Sequence, residues 1–157
     1  MIEQISNFFN QEMIYLWLNL GVLPFWIILI FFPQSNICKF FVTSVFPYLI
    51  FSLVYVYLLV LAYQSEYHFI NNFNLYLGID ELNNLFNENS FLITFWVHFL
   101  AINLFCGSWI VKDSLKLYIP KFLVFFPLVI TYFVGPLGLF FYWLIRIFFA
   151  KRISLYD

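Results

Sequence analysis

Four long runs of apolar residues, separated by shorter polar stretches, organise the chain. They cover residues 13–32, 40–63, 91–111 and 122–149. An α-helix rises 1.5 Å per residue, so about 20 apolar residues cross the roughly 30 Å hydrocarbon core of a membrane. Each run is therefore predicted to cross a membrane once. The fourth run is predicted to be one crossing that bends at Gly135-Pro136, because glycine and proline interrupt helices.

The main polar stretch lies between the second and third runs. Residues 64–89 hold several acidic side chains and no Lys or Arg. Within them, Asp80 is followed by Leu82, Leu85 and Phe86, which share one helical face. Asp80 is expected to be the N-cap of a short helix that lies on the membrane surface. The predicted fold is all-α: a four-helix transmembrane bundle with a short interfacial helix between the second and third crossings.

Composition supports the prediction of a single integral membrane domain over residues 1–157. Hydrophobic residues make up 64% of the chain and charged residues only 10%, whereas a soluble domain has about 25% charged residues. The mean hydropathy is +0.92. The net charge of −1 gives no reason to expect a nucleic acid partner. Lys and Arg are almost equally divided between the two sides of a four-crossing chain, so the positive-inside rule leaves its orientation open.

The N-terminal segment argues against a cleaved targeting sequence. Its first 13 residues contain two acidic side chains and no Lys or Arg. They resemble neither a secretory signal nor an Arg-rich transit peptide. Taken as complete, the chain is therefore expected to be made where it is used, in a bacterium or in an organelle that encodes it. A removed transit peptide is the alternative.

The third run carries two polar side chains, His98 and Asn103, inside the predicted crossing. Ionisable residues inside a membrane are costly and are often functional. We predict that His98 lies at about the depth of Asn19 and Tyr57, in a polar pocket of the bundle that has aromatic walls. The alternative is that His98 and Asn103 only form hydrogen bonds that hold the helices together.

A long, flat, apolar ligand would suit such a pocket. In the second run, Tyr48, Ser52 and Tyr55 are spaced at i, i+4 and i+7 and so share one helical face. Ser52 is expected near the level of Asn103, and Trp96 is one of the aromatic wall residues. The predicted ligand-binding residues are Asn19, Tyr48, Ser52, Tyr55, Trp96 and Asn103.

No cofactor and no metal are predicted. His68 and His98 invite the hypothesis of a bis-histidine haem, but His68 lies in a surface loop and no further feature supports the pair. Cys38 and Cys106 have no CxxC spacing and are expected to be inert thiols. Serine-nucleophile, P-loop and dinucleotide-binding motifs are absent from the sequence.

Each of the four runs contains its own short motifs, which follow one another in a fixed order. They are Leu23-Pro24-Phe25 with Pro33, Pro47-Tyr48 with Tyr55-Val56-Tyr57-Leu58-Leu59, Trp96-Val97-His98-Phe99-Leu100-Ala101 with Gly107 and Asp113, and Gly135-Pro136-Leu137-Gly138-Leu139. In order and spacing, these motifs resemble a family of small membrane proteins, the ABSCISIC ACID DEFICIENT four-like or neoxanthin synthase-type proteins. The resemblance covers nearly the whole chain.

The resemblance implies a membrane-dissolved carotenoid substrate and no redox cofactor. Plant members of the family are implicated in the isomerisation of violaxanthin to neoxanthin, which opens an epoxide to an allenic alcohol. That reaction needs a base for a carbon-bound proton and an acid for the epoxide oxygen. By resemblance, His98 is the first candidate for one role, and Asp113 or a tyrosine such as Tyr57 for the other. The family usually has Asp at the position of Asn103, so a reaction that needs that carboxylate is not implied here.

The leading hypothesis is a multi-pass protein of a cyanobacterial or plastid membrane, either thylakoid or envelope. It is expected to bind a carotenoid or another membrane lipid and, if it is an enzyme, to isomerise the carotenoid. The alternative is a non-enzymatic subunit or assembly factor of a photosynthetic membrane. A second copy of the chain or another membrane protein is the expected protein partner. A channel is disfavoured because few charges are present to line a pore.

Overall fold

The computed structural model describes residues 10–64 and 69–150, and every regular element within these ranges is helical. The α-helices are α1 (Gln11–Phe31), α2 (Phe46–Gln64), α3 (Ile79–Phe86), α4 (Asn89–Lys116), α5 (Lys121–Phe133) and α6 (Gly135–Ala150). A π-helical segment, Cys38–Val42, precedes α2, and a 3-10 helix, Phe69–Tyr76, precedes α3. The prediction of an all-α fold is confirmed for this part of the chain.

Three segments are long and apolar enough to cross a membrane. They are α1, the stretch from Cys38 to the end of α2, and α4, with 21, 27 and 28 residues. The bounds of α1 agree with the predicted first crossing to within two residues. Helices α5 and α6 have only 13 and 16 residues, fewer than one crossing needs.

Several helix ends differ from the predictions. α2 begins at Phe46 rather than at residue 40, and Pro47 lies in its first turn. Proline is tolerated there because N–H groups in the first turn have no intrahelical acceptor, so its lack of an N–H costs no hydrogen bond. α4 extends to Lys116, beyond the predicted end of the third crossing. The N-cap of α3 is Gly78 instead of Asp80, which lies in the first turn, where its charge complements the helix dipole. The surface position of α3 stays a prediction.

The helices are divided between two compact units. Among the described residues, the first contains 10–21, 48–64 and 69–99, and the second contains 22–47 and 100–150. α1 and α4 therefore each contribute their first half to the first unit and their second half to the second. α2, from Tyr48 onward, and α3 belong to the first unit, whereas α5 and α6 belong to the second.

In the second unit, α5 and α6 fold back on each other at Val134, whose φ of −141° and ψ of 88° end α5. The ring centroids of Phe126 and Phe141 lie 5.8 Å apart, whereas 15 residues of continuous helix would rise about 22 Å. The predicted fourth crossing, one bent helix over 122–149, is therefore not confirmed, and neither is the four-helix bundle. The apolar length of this run does not distinguish the two arrangements, because it fits one crossing as well as two shorter helices.

The hairpin of α5 and α6 packs on the second half of α1. Trp26 contacts Tyr132 with a ring-centroid distance of 5.5 Å, and Phe31 contacts Phe125 at 6.1 Å. Residue numbers rise along α1 as they fall along α5. α5 therefore runs antiparallel to α1.

The other side of the hairpin packs on the second half of α4. Trp109 contacts Tyr142 at 5.6 Å between ring centroids, and Asp113 contacts Arg146 at 2.7 Å. Residue numbers here rise together along both helices. α6 therefore runs parallel to α4 and antiparallel to α5.

The hairpin is closed tightly because residue 138 has no side chain. A Cβ atom at Gly138 would lie 2.5 Å from the backbone nitrogen of Thr131 and 2.6 Å from its Cα. Thr131 is fully buried, and its hydroxyl donates to the carbonyl of Pro127 at 2.7 Å. Small residues allow this kind of close helix contact in membrane proteins.

Candidate functional site

A groove lies between the starts of α1 and α4, within the first unit. It encloses about 610 Å³ and is lined by Gln11, Glu12, Tyr15, Leu16, Asn89, Leu92, Ile93 and Trp96. Gln11 Nε2 donates to Ser90 Oγ at 3.3 Å, which ties the two helix starts together. The polar lining residues stand at the helix starts and the apolar ones further along. The groove therefore has a polar rim and an apolar, aromatic interior.

Trp96 lines this groove and carries an unsatisfied donor. Its ring packs against Tyr15 with a centroid distance of 5.7 Å and against Phe99 at 5.3 Å. The indole Nε1 is buried and finds no hydrogen-bond acceptor among the described residues. A buried donor without an acceptor costs about 1–3 kcal/mol. Because protein atoms cover Nε1, an oxygen atom of a ligand would remove that cost only after the indole turns toward the groove.

Three polar side chains of the second unit form a buried cluster. Tyr142 Oη and Arg146 Nε each donate to Asp113 Oδ2 at 2.7 Å. The side chain of Arg146 is 4% exposed and that of Asp113 is 10% exposed, and Tyr142 is fully buried. The cluster joins α4 to α6 and leaves little room for a bulky substrate.

Sequence reasoning predicted Asp113 but missed Tyr142 and Arg146. The sequence does contain a signal for Arg146, because it is the only charged residue in the run 122–149. A charge within an apolar segment needs a partner. Tyr142 lies four positions before Arg146 and therefore on the same face of α6. Asp113 was the available counter-charge on the preceding long helix.

Asn103 lies at the turn between α5 and α6 and is 3% exposed. Its Nδ2 donates to the carbonyl of Tyr132 over a long distance of 3.5 Å, and a Cβ atom at Gly135 would collide with its Oδ1. The last carbonyls of a helix have no intrahelical partner, and in a membrane other protein groups must satisfy them. Asn103 therefore caps the end of α5, as expected if its role is to hold helices together.

His98 is exposed on the surface of α4 in the first unit. It forms no hydrogen bond to another residue within the ranges 10–64 and 69–150. Its imidazole is therefore accessible from outside the described part of the chain rather than enclosed by it.

The other predicted ligand-binding and catalytic residues lie on α1 and α2. Asn19 is half-buried, and its Nδ2 donates to the carbonyl of Tyr15 at 2.7 Å. Tyr48 and Tyr55 are half-buried, whereas Ser52 and Tyr57 are exposed. Of the predicted ligand-binding set, Trp96 lines the groove.

Haem, metal and disulfide chemistry were considered for His68, His98, Cys38 and Cys106. His68 lies outside the described residues. Cys38 and Cys106 are both free thiols. Within the ranges that the structure describes, no three His, Cys, Asp or Glu side chains are grouped as metal ligands.

Comparison with known proteins identifies the family. Residues 13–142 match the sequence model of the ABA DEFICIENT 4-like family. Over 99 residues the chain is 29% identical to Protein ABA DEFICIENT 4, chloroplastic, of Arabidopsis thaliana, an alignment that covers 61% of this chain and 44% of that relative. The match thus spans less than half of the relative's length. No solved structure matches the chain. Because the family match covers most of its length, the chain belongs to the ABA DEFICIENT 4-like family, as its motifs predicted.

Proposed function

We propose that this protein binds an oxygenated carotenoid, or a related isoprenoid lipid, in a plastid or cyanobacterial membrane. The observation that carries the proposal is the family match, which runs from α1 into α6. The name of the Arabidopsis relative, which includes the word chloroplastic, supports the plastid location. The three segments that are long and apolar enough to cross a membrane support a multi-pass arrangement.

The groove between the starts of α1 and α4 supports binding of such a ligand. Its apolar interior suits the ring and polyene of a carotenoid, because burial of apolar surface is favourable. On binding, the indole of Trp96 would turn toward the groove, and its buried N–H would donate to an oxygen on the end ring. Gln11 and Glu12 at the rim would exchange hydrogen bonds with a ring hydroxyl.

We further propose that the protein isomerises an epoxide carotenoid, with His98 as the base. The base removes a carbon-bound proton, the electron pair of that bond forms the new double bond, the epoxide C–O bond breaks, and an acid protonates the oxygen. The exposure of His98 supports access of a lipid-dissolved substrate. Tyr57, 39% exposed, is a better candidate for the acid than Asp113, whose side chain is only 10% exposed.

Trp96→Phe is expected to weaken binding of violaxanthin about twofold to tenfold. The substitution keeps an aromatic ring but removes one hydrogen bond, which is worth about 0.5–1.5 kcal/mol. Pigment absorption during titration of the purified protein measures the affinity. The matched control is Trp17→Phe, because Trp17 is 59% exposed and does not line the groove. Equal effects of both substitutions, or colourless wild-type protein from a carotenoid-making host, would contradict the proposed binding.

His98→Gln is expected to lower kcat for an epoxide carotenoid by at least about 100-fold, because general acid–base catalysis contributes roughly that factor or more. Glutamine keeps hydrogen-bonding capacity but does not exchange a proton near neutral pH. Product formation is measured by chromatography of extracted pigment. Ile102→Ala, on the same face of α4 and 47% exposed, should retain turnover. A fully active His98→Gln protein would remove His98 from the mechanism without affecting the binding proposal.

The second candidate function is that of a non-enzymatic membrane subunit or assembly factor. It is supported by the buried polar residues Asn103 and Asp113, which are used to join helices. The two candidates differ in one measurement. Wild-type protein that retains pigment and never converts it, in a membrane that supplies epoxide carotenoids, favours the non-enzymatic function.

A further inference from the structure

We propose that α5 and α6 form a re-entrant hairpin, which enters and leaves the membrane on the same side. We also propose that the end of the molecule where the hairpin enters is an interaction surface for the anionic headgroups of one leaflet. This inference does not depend on the proposed function. It rests on the direction and length of helices in the second unit and on the positions of its cations.

The hairpin is too short to reach the far side of a membrane. Its turn lies beside Asn103, and Arg146, near its far end, contacts Asp113, near the end of α4. Asn103 is about 20 Å from the end of α4 along the helix axis, and the 13 residues of α5 have about the same length. A hydrocarbon core is about 30 Å thick. The turn therefore lies within the core, and α6 returns towards the side from which α5 came.

The non-helical backbone at the turn is compatible with this depth. Irregular backbone is tolerated inside a membrane only where protein buries or satisfies it. Gly135 and Gly138 are buried, and Asn103 supplies a donor to the carbonyl of Tyr132. The turn residue Val134 is 47% exposed, but its N–H donates to the carbonyl of Ile130 at 2.7 Å and its carbonyl accepts from the N–H of Gly138 at 3.1 Å. Its backbone groups are therefore satisfied within the protein.

All Lys and Arg residues of the described ranges stand at one end of the second unit. Lys39 follows α1, and Lys112 and Lys116 lie near the end of α4. Lys121 begins α5, and Arg146 lies near the end of α6. The four lysines are exposed. The chain has seven Lys and Arg in total, and the other two, Lys151 and Arg152, follow α6 in the sequence.

A re-entrant hairpin therefore changes the charge balance across the membrane. One bent crossing would divide the cations almost equally between the two sides. Three crossings and a re-entrant hairpin place all of them on one side, while residues 64–89, between α2 and α4, carry none. The positive-inside rule then assigns the lysine side to the cytoplasm or to its organellar equivalent. Clustered lysines beside crossings attract anionic lipids.

Labelling of single introduced cysteines tests the topology. Tyr118→Cys reports the connection between α4 and α5, Ala150→Cys the end of α6, and Tyr76→Cys the polar stretch between α2 and α4. Tyr118 and Tyr76 are 90% and 82% exposed. A membrane-impermeant maleimide is added to sealed vesicles, and unsubstituted protein, with its buried Cys38 and half-buried Cys106, is the blank.

The expected result is that positions 118 and 150 react from the same side and position 76 from the other. Reaction of positions 76 and 150 from one side, with 118 opposite, would overturn the re-entrant hairpin and restore a fourth crossing. If the blank itself reacts, Cys106→Ala is introduced into every variant and the comparison is repeated.

Lipid retention tests the interaction surface. Purified protein is incubated with phosphatidylglycerol or phosphatidylcholine, and bound lipid is counted by native mass spectrometry. We expect preferential retention of phosphatidylglycerol, lost when Lys112, Lys116 and Lys121 are all changed to Gln and kept when all three are changed to Arg. Equal retention of the two lipids by the unsubstituted protein, or no difference between the Gln and Arg variants, would overturn the anionic-lipid surface.

Discussion

Asp113→Asn is expected to lower the free energy of unfolding by about 3–5 kcal/mol, the usual cost of removing one partner from a buried ion pair. The substitution takes away the carboxylate that accepts hydrogen bonds from Tyr142 and Arg146. The guanidinium, 4% exposed, then stays buried without that counter-charge. The loss is measured as the shift in unfolding of the detergent-solubilised protein on titration with denaturing detergent.

Two further variants separate this buried pair from a general effect of charge removal. Asp80→Asn removes an exposed carboxylate from α3 and should change stability by less than about 0.5 kcal/mol. The double substitution Asp113→Leu with Arg146→Met replaces both partners by apolar groups and should recover most of the loss, since apolar replacements of buried pairs are often neutral. If Asp113→Asn is as mild as Asp80→Asn, the cluster does not hold α4 to α6.

Gly138→Ala is expected to destabilise the protein by about 3 kcal/mol, at the upper end of the cost of overpacking. The new methyl group would meet the backbone nitrogen and Cα of Thr131 at 2.5 and 2.6 Å. Backbone atoms cannot rotate away as a side chain can, so α5 and α6 must separate. The same unfolding titration measures the effect.

Gly21→Ala is the matched control, because a Cβ atom there meets nothing within 4 Å. Alanine is favoured over glycine in a helix by up to about 1 kcal/mol, so this change should be neutral or stabilising. Adding Thr131→Ala to Gly138→Ala should not restore stability, since the backbone contacts remain. Restoration would mean that the Thr131 side chain, not the close approach of the backbones, limits the size of residue 138.

The position of Asn103 explains why an amide suits this site. Its amide donates to the carbonyl of Tyr132 at the end of α5. An ionised Asp has no proton to donate and would face that carbonyl with like charge, whereas a protonated Asp could donate through its hydroxyl. Asn is therefore suited to a purely structural cap.

The all-α class of the protein, its family and its first three apolar segments could be predicted from the sequence. A membrane span depends on local length and hydrophobicity, so α1 and α4 are visible as apolar runs without knowledge of their neighbours. The motifs around Trp96 and His98 and around Gly135 identified the family for the same reason, since they are local patterns in a fixed order. The candidate residue Asp113 was also predicted, although only as a member of a catalytic pair.

Other features are set by contacts between distant residues, which no local pattern contains. The run 122–149 could bend slightly or fold back completely, and the close approach of Gly138 to Thr131 selects the hairpin. The pairing of Asp113 with Arg146 depends on α6 running parallel to α4. The groove at Trp96 lies between the starts of two helices, which the hydrogen bond between Gln11 and Ser90, 79 positions apart, joins. The sequence by itself thus determined a helical protein of a known family with segments long and apolar enough to cross a membrane, because apolar length and local motifs suffice for that. Only tertiary packing decided which polar groups meet.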